Sequence, residues 1–276
     1  MAKRLAFFGP AGTFTEEAAL TYDSQAELLP FSTIAAVAEA VASGKADEGV
    51  VPIENSIQGS VNDTLDVLIH ESNLRIRNEL VLPIEHNLLV KPGTRADAIK
   101  VIFSHPQALG QCRRYLERHF PKAQAVASLS TAAAVEEVVR RDDAAAIAPR
   151  RAAELYGAEI LARGIQDRHN NLTRFIVLAE SDHPRTGRDR TSIAFSFAED
   201  KPGQLVGVLK EFATRSINLS KLESRPSQES LGRYIFLADL EGHREDPAIA
   251  ESLSQIQPLV SFLKVFGSYP RHNFGG

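Results

Sequence analysis

The chain has 276 residues, 43% of them apolar and 24% charged, with a formal net charge of −4. That length buries a full core in one or two domains, and the composition is that of a globular protein. The charge gives no field for collecting nucleic acid or an anionic membrane.

One cysteine, Cys112, excludes an intrachain disulfide and a cysteine-rich zinc site, and favours a reducing compartment. It is expected to be a buried structural thiol. The apolar stretch before Gly9-Pro10 is too short for a signal-peptide core. No apolar run approaches the ~18 residues of a membrane span. A cytoplasmic α/β protein is expected.

Residues 4–8 form a short strand ending at "GPAGT", and a helix follows over about 14–22. "STIAAVAEAVASGKAD" is a second helix, with Ser32 or Thr33 as N-cap and Gly44 as its stop. "EGVVPIEN" is a buried strand, a helix is expected over 61–70, and "LVLPIEHNLLV" is extended. "VIFSHPQALGQCRRYLERHF" reads as strand, turn and helix, with Leu109, Arg113 and Leu116 on one face. A helix from a Ser130-Thr131 cap, the strand "AAAIAP", a short helix ending at Gly157 and the strand 175–178 complete this part. Alternating strands and helices predict parallel sheets with crossover helices. "SDHPRTGRDR" reads as a linker, and the remaining residues follow a β-α-β-β-α-β order, a ferredoxin-like unit.

Four polar clusters stand at predicted strand ends, where open α/β sheets bind ligands. Residues 9–13 (Gly-Pro-Ala-Gly-Thr) are either an anion cradle at a helix N-terminus or a plain tight turn. Glu54-Asn55-Ser56 either contact a ligand or cap the next helix. Gln107 and Gln111 share a helix face beyond Ser104, which is itself a ligand contact or an N-cap. Asn171, Thr173 and Arg174 precede Phe175 at the mouth of an apolar strand. No Walker loop, dinucleotide fingerprint, nucleophile elbow or metal-ligand spacing occurs. The histidines are scattered and are expected mostly at the surface.

The stretches "FFGPAGTFTEEAA", "GVVPIENSIQGSVNDTLD", "FSHPQALGQC", "IQDRHNNLTRF" and "PGQLVGVLKEFATRSINLSKLESRP", in this order, resemble the prephenate dehydratase family across nearly the whole chain. The resemblance implies a two-lobed, periplasmic-binding-protein-like catalytic domain over 1–181, with lobe 1 about 1–82 and 171–181 and lobe 2 about 83–170. It implies a linker over 182–189 and an ACT regulatory domain over 190–276. It also implies conversion of prephenate to phenylpyruvate, carbon dioxide and water for phenylalanine synthesis, without cofactor or metal, and feedback by phenylalanine.

On this resemblance Thr173 is the catalytic residue, addressing the leaving hydroxyl. Arg174 and the turn ending at Thr13 are carboxylate holders, and Asn55, Ser56, Ser104 and Gln111 are neutral substrate contacts. Glu54, if held protonated, is a further donor. The effector is expected near Gly203, Leu205, Val206, Asn218, Leu219, Glu223, Ser224, Arg225 and Pro226. Gln204 stands where the family has alanine. ACT units pair, so a homodimer or homotetramer is expected. Arogenate dehydratase, with the same chemistry on an amino substrate, and a non-catalytic amino-acid sensor are the alternative readings.

Overall fold

A computed structural model describes residues 2–227 and 232–273. The chain opens with β1 (Arg4–Phe8), α1 (Phe14–Tyr22), β2 (Glu27–Phe31), α2 (Ile34–Ala42), β3 (Glu48–Asn55) and the short β4 (Gly59–Ser60). Then come α3 (Asn62–Asp66), a π-helical turn over Val67–Glu71, and β5 (Arg75–Pro83). Side-chain caps set where the helices begin: the Thr13 hydroxyl accepts from the Glu16 N–H, and the Thr33 hydroxyl from the Ala36 N–H.

The chain next builds a second sheet. Its elements are β6 (Asn87–Val90), β7 (Val101–Ser104), α4 (Pro106–Gln111), α5 (Arg113–His119), β8 (Gln124–Ala127), α6 (Thr131–Val138), β9 (Ala144–Ala148), α7 (Arg150–Tyr156) and β10 (Glu159–Ala162). It returns to the first sheet as β11 (Leu172–Ala179). The first sheet has the order β2-β1-β3-β11-β5 with β4 on β3, and the second β10-β6-β9-β7-β8. The two crossings run side by side, joined by the Ile84 N–H donating to the Asn171 carbonyl at 2.8 Å. This is the two-lobed α/β arrangement expected from the sequence.

The last unit comprises β12 (Asp189–Ser196), α8 (Gln204–Thr214), β13 (Leu219–Pro226), β14 (Tyr234–Glu241), α9 (Pro247–Ile256) and β15 (Phe262–Pro270). Its sheet has the ferredoxin-like order β13-β14-β12-β15. One face carries α8 and α9 over Phe195, Phe212, Leu240 and Ile249. The other face joins the core of lobe 1: Ala194, Ile235, Leu237, Phe266 and Tyr269 cluster with Ile76, Ile176 and Leu178. The sheet of the last unit thus packs on β5 and β11 of the first sheet.

Some elements depart from the sequence reading. β2, β8 and β10 were not expected; they are short and only partly buried, so the apolar signal is weak. The expected helix over 61–70 splits into α3 and the π turn. Cys112 is fully buried, and burial pushes its thiol far up, so it is inert.

Gly267 has φ of 153°, and a Cβ built there would overlap the backbone of Ile76 on β5. Gly267→Ala is expected to force β15 off β5 at a cost of at least ~2 kcal/mol, measured as a lower urea midpoint. An unchanged midpoint would show that the two sheets part freely.

Candidate active site

β11 lies between β3 and β5, with Thr173 opposite Asn55 on one side and Leu82 on the other. The Asn55 side chain organises this end. Its Oδ1 accepts from the backbone N–H groups of Ile57 and Gln58 at 3.1 and 3.2 Å. Its Nδ2 donates to Thr173 Oγ1 at 2.9 Å and to Asn171 Oδ1 at 2.7 Å. Asn171 Nδ2 donates in turn to Gln111 Oε1 at 3.0 Å, and the same oxygen contacts His86 Nε2 at 2.7 Å. A continuous polar chain therefore runs from Thr173 in lobe 1 to His86 at the junction with lobe 2. Thr173 is 8% exposed, Asn55 6% and Asn171 1%, so these bonds are shielded from water.

Ser104, at the C-terminal end of β7, is fully buried and donates to the Ile147 carbonyl at 2.6 Å. It stitches neighbouring strands rather than capping α4, whose N-cap is His105. Gln107 is exposed while Gln111 is partly buried, so the two do not form one binding face. Ser56 Oγ accepts from the Leu172 N–H at 2.9 Å and ties β11 to the turn after β3.

Sequence reasoning missed two residues here. His86 is 3% exposed, against the expectation of surface histidines, and burial pushes it below the ordinary histidine value. Asn87 is 1% exposed at the start of β6. His86 Nδ1, Gln111 Nε2 and both polar atoms of the Asn87 side chain are buried without a partner. Four such atoms, on residues at or before the start of β6 and at the end of α4, are what a bound polar molecule would satisfy. A polar pair between "LPIE" and the apolar "LLV" was the available signal.

Both expected carboxylate holders are occupied by the chain's own carboxylates. Successive residues of a strand face opposite ways, so Arg174 turns from Thr173 to the other face of β11. There its guanidinium donates to Asp239 of β14 at 2.7 Å and meets Glu79 of β5 at 3.4 Å and Glu54 at 3.5 Å. The Gly12 N–H donates to Glu16 Oε2 at 2.6 Å, and Arg151 of α7 closes on the same carboxylate at 3.2 Å. The turn is thus filled by Glu16, and this ion pair latches the lobes together. Thr13 serves as cap to α1. Glu54, expected as a further donor, is instead engaged in ion pairs with Arg174 at 3.5 Å and Lys221 at 3.4 Å.

Among the described residues no group of three or more His, Cys, Asp or Glu side chains is placed to hold a metal ion, and no helix is long and apolar enough to cross a membrane. The model of the prephenate dehydratase family matches residues 5–183, and that of the ACT domain residues 191–257. The chain belongs to the prephenate dehydratase family. The bifunctional chorismate mutase/prephenate dehydratase of Aquifex aeolicus (strain VF5) is 43% identical over 269 residues, which are 97% of this chain and 74% of that protein. The prephenate dehydratase of Mycobacterium sp. (strain JLS) is 39% identical over 287 residues, 99% of this chain and 90% of that one. The crystal structure of prephenate dehydratase in complex with L-Phe from Arthrobacter aurescens superposes with a TM-score of 0.88 at 39% identity, covering 97% of this chain and 90% of that chain.

In the ACT domain the expected effector positions divide by strand alternation. Along β13, Ser220, Leu222, Ser224 and Pro226 are exposed, whereas Lys221, Glu223 and Arg225 turn to lobe 1. Ser60 Oγ donates to Glu223 Oε2 at 2.5 Å, Lys221 Nζ donates to the same hydroxyl at 2.8 Å, and Arg225 pairs with Asp66. Glu223 and Arg225 are therefore committed to the catalytic lobe and not to the exposed face. Gly203, with φ of 87°, is the N-cap of α8, Leu205 is half-buried and Leu219 half-buried, and Val206 and Asn218 are exposed. Gln204 accepts from the Lys201 N–H at 3.1 Å through its side chain, a local turn contact.

Asp239 is the pivot of the buried ion cluster. Burial alone would push it up; Arg174, Arg190 and the Ser192 hydroxyl overcome this and hold it below the usual carboxylate range. A depressed folded-state value means the contribution is present above about pH 4 and is lost as pH falls through that lower value. Asp239→Asn is expected to lower stability by about 3–5 kcal/mol at pH 7 and to flatten the acid limb of stability. A urea midpoint and acid dependence equal to the parent's would remove the cluster as the tie between domains.

Proposed function

We propose that the cleft between the lobes binds prephenate and performs its decarboxylative dehydration to phenylpyruvate through Thr173. Carbon dioxide leaves one ring carbon, electrons move through the ring, and the hydroxyl departs from the opposite carbon. Aromatisation drives the step, so no electron sink is required of a cofactor. The protein must assist the departing oxygen, since hydroxide is a poor leaving group, and must keep the departing carboxylate poorly solvated.

The observation that carries this reading is the bond from Asn55 Nδ2 to Thr173 Oγ1 at 2.9 Å. The Thr173 oxygen accepts there, which leaves its own hydrogen for another acceptor. A threonine hydroxyl is too weak an acid to surrender its proton at neutral pH, so it serves as a positioned donor to the oxygen as charge develops. Such a donor contributes ~3–4 kcal/mol, or about 10²–10³ in rate. With Arg174 and Gly12 engaged elsewhere, the groups left for the substrate are neutral donors, chiefly Gln111 Nε2 and the Asn87 amide. Neutral donors orient a carboxylate without the strong stabilisation a guanidinium would give, which suits a group that must lose its charge.

We read the ACT domain as a phenylalanine sensor, in a cytoplasmic homo-oligomer. The exposed face of β13, with Leu222 44% exposed and Val206 of α8 67% exposed, offers an apolar surface to a second copy. Phenylalanine bound between copies would act on β13, whose other face grips Ser60 and Asp66, next to the turn that orients Asn55.

Two measurements test this. Thr173→Val keeps the shape and removes the hydroxyl; phenylpyruvate formation is expected to fall about 10²–10³-fold. Turnover within about threefold of the parent would dismiss Thr173 as leaving-group partner. Phenylalanine titrated into the protein is expected to give a saturable heat and to lower turnover. A silent titration with full activity at high phenylalanine would dismiss the sensor.

A further inference from the structure

The polar chain has a direction. The Ile57 and Gln58 N–H groups can only donate, so the Asn55 atom facing them is Oδ1 and the one facing Asn171 and Thr173 is Nδ2. Asn171 must then present Oδ1 to Asn55 and Nδ2 to Gln111. Gln111 must receive with Oε1, and His86, bonded to that same oxygen, must donate from Nε2. Each step follows from the last, and the series ends on one tautomer: Nε2 protonated and, in the neutral ring that burial favours, Nδ1 bare.

The ring is held for this task. The His86 backbone N–H donates to Gln166 Oε1 at 2.9 Å and its backbone carbonyl accepts from the Ile165 N–H at 2.9 Å, fixing the main chain, while Phe14 of α1 stands edge-on to the ring at 5.6 Å. With Asn171 on one lone pair of Gln111 Oε1 and His86 on the other, the carboxamide cannot rotate. Its Nε2 then points one way only, with both hydrogens uncommitted.

We propose that His86 is a positioning residue for the reaction, acting through Gln111: it clamps the carboxamide so that Gln111 Nε2 is presented to the substrate. This rests on the reading of the cleft as the prephenate site. His86 forms no bond to Thr173 or to the reacting atoms.

The test is a double-mutant cycle on the full chain with prephenate as substrate. His86→Phe keeps a flat ring without the donor and is expected to lower kcat/KM at least about tenfold, in line with one broken buried bond. His86→Gln restores an N–H near the Nε2 position and is expected to stay within about threefold of the parent. In a Gln111→Leu background, adding His86→Phe is expected to cost less than about twofold more. Multiplying losses, or a His86→Gln variant as poor as His86→Phe, would overturn the clamp and leave His86 a packing residue. A nitrogen-15 NMR spectrum of the parent protein is independent of how any variant folds. It is expected to show the Nε2–H tautomer for His86, and the Nδ1–H tautomer would overturn the proposal outright. Should Gln111→Leu alone leave turnover intact, the assignment of Gln111 to the substrate falls, whatever the tautomer.

Discussion

The carboxamide of Asn55 is the contact on which the site depends. Its oxygen is claimed by two backbone N–H groups of the turn after β3, so its nitrogen has a single direction to face. That nitrogen meets Thr173 and Asn171 because β11 is in register with β3 there, Thr173 opposite Asn55. A slip of one residue would exchange Thr173 and Arg174 between the two faces of the sheet. The precision of the site therefore comes from a strand register and a tight turn. The apolar stretch of β11 that follows, Phe175, Ile176, Val177 and Leu178, is buried and anchors the strand, and the pairing with β3 shifts by one residue between Arg174 and Phe175. A slipped strand would also bury a charged side chain among apolar ones, which is far costlier than a lost hydrogen bond.

The same alternation gives β11 a second purpose. Arg174, one residue from Thr173, reaches toward the ACT sheet, where Asp239 of β14 and Arg190 of β12, together with Glu79 of β5, complete a buried cluster of two cations and two anions. Such a cluster gains little net stability over an apolar one, because desolvation offsets most of the attraction. Its value is geometric. Each charge demands its partner at a fixed distance, so the regulatory sheet can dock on β11 and β5 in one way only. The tie to the ACT domain and the Thr173 hydroxyl belong to adjacent residues of one strand.

Much of this was legible in the sequence, and the failures have a common cause. The alternation of strands and helices, the caps at Thr33 and Ser130 and the split βαβ order of the last unit are local signals, and each appears in the structure. Arg174 and the Gly12 turn were expected to hold substrate carboxylates, but in the structure the chain's own carboxylates occupy both. What the sequence could not reveal is that the anions at Arg174 are Asp239 and Glu79, 65 and 95 residues away in the chain. Pairing over that span is a product of tertiary packing, and local patterns carry no trace of it. His86 was passed over for the converse reason: a lone histidine beside an apolar strand has no periodic signature. Its meaning comes from Gln111, 25 residues on, and from an asparagine on the return strand.

Strand β13 repeats this logic at the regulatory end. A residue motif read along the chain suggests one binding surface, but a strand presents its residues alternately. Ser224 and Pro226 face outward, while Glu223 and Arg225 hold the segment that follows Asn55. On the reading proposed here, an effector can shift activity only if it favours one placement of β13 over another. The Glu223–Ser60 contact gives such a shift a short path. Ser60 pairs with Glu54 and Gly59 with Asn55 across the β3–β4 hairpin. A displacement of β13 would therefore be felt first in the turn whose N–H groups orient Asn55. The coupling then needs no large rearrangement, because lengthening two hydrogen bonds to Asn55 Oδ1 would release the carboxamide that positions the Thr173 hydroxyl.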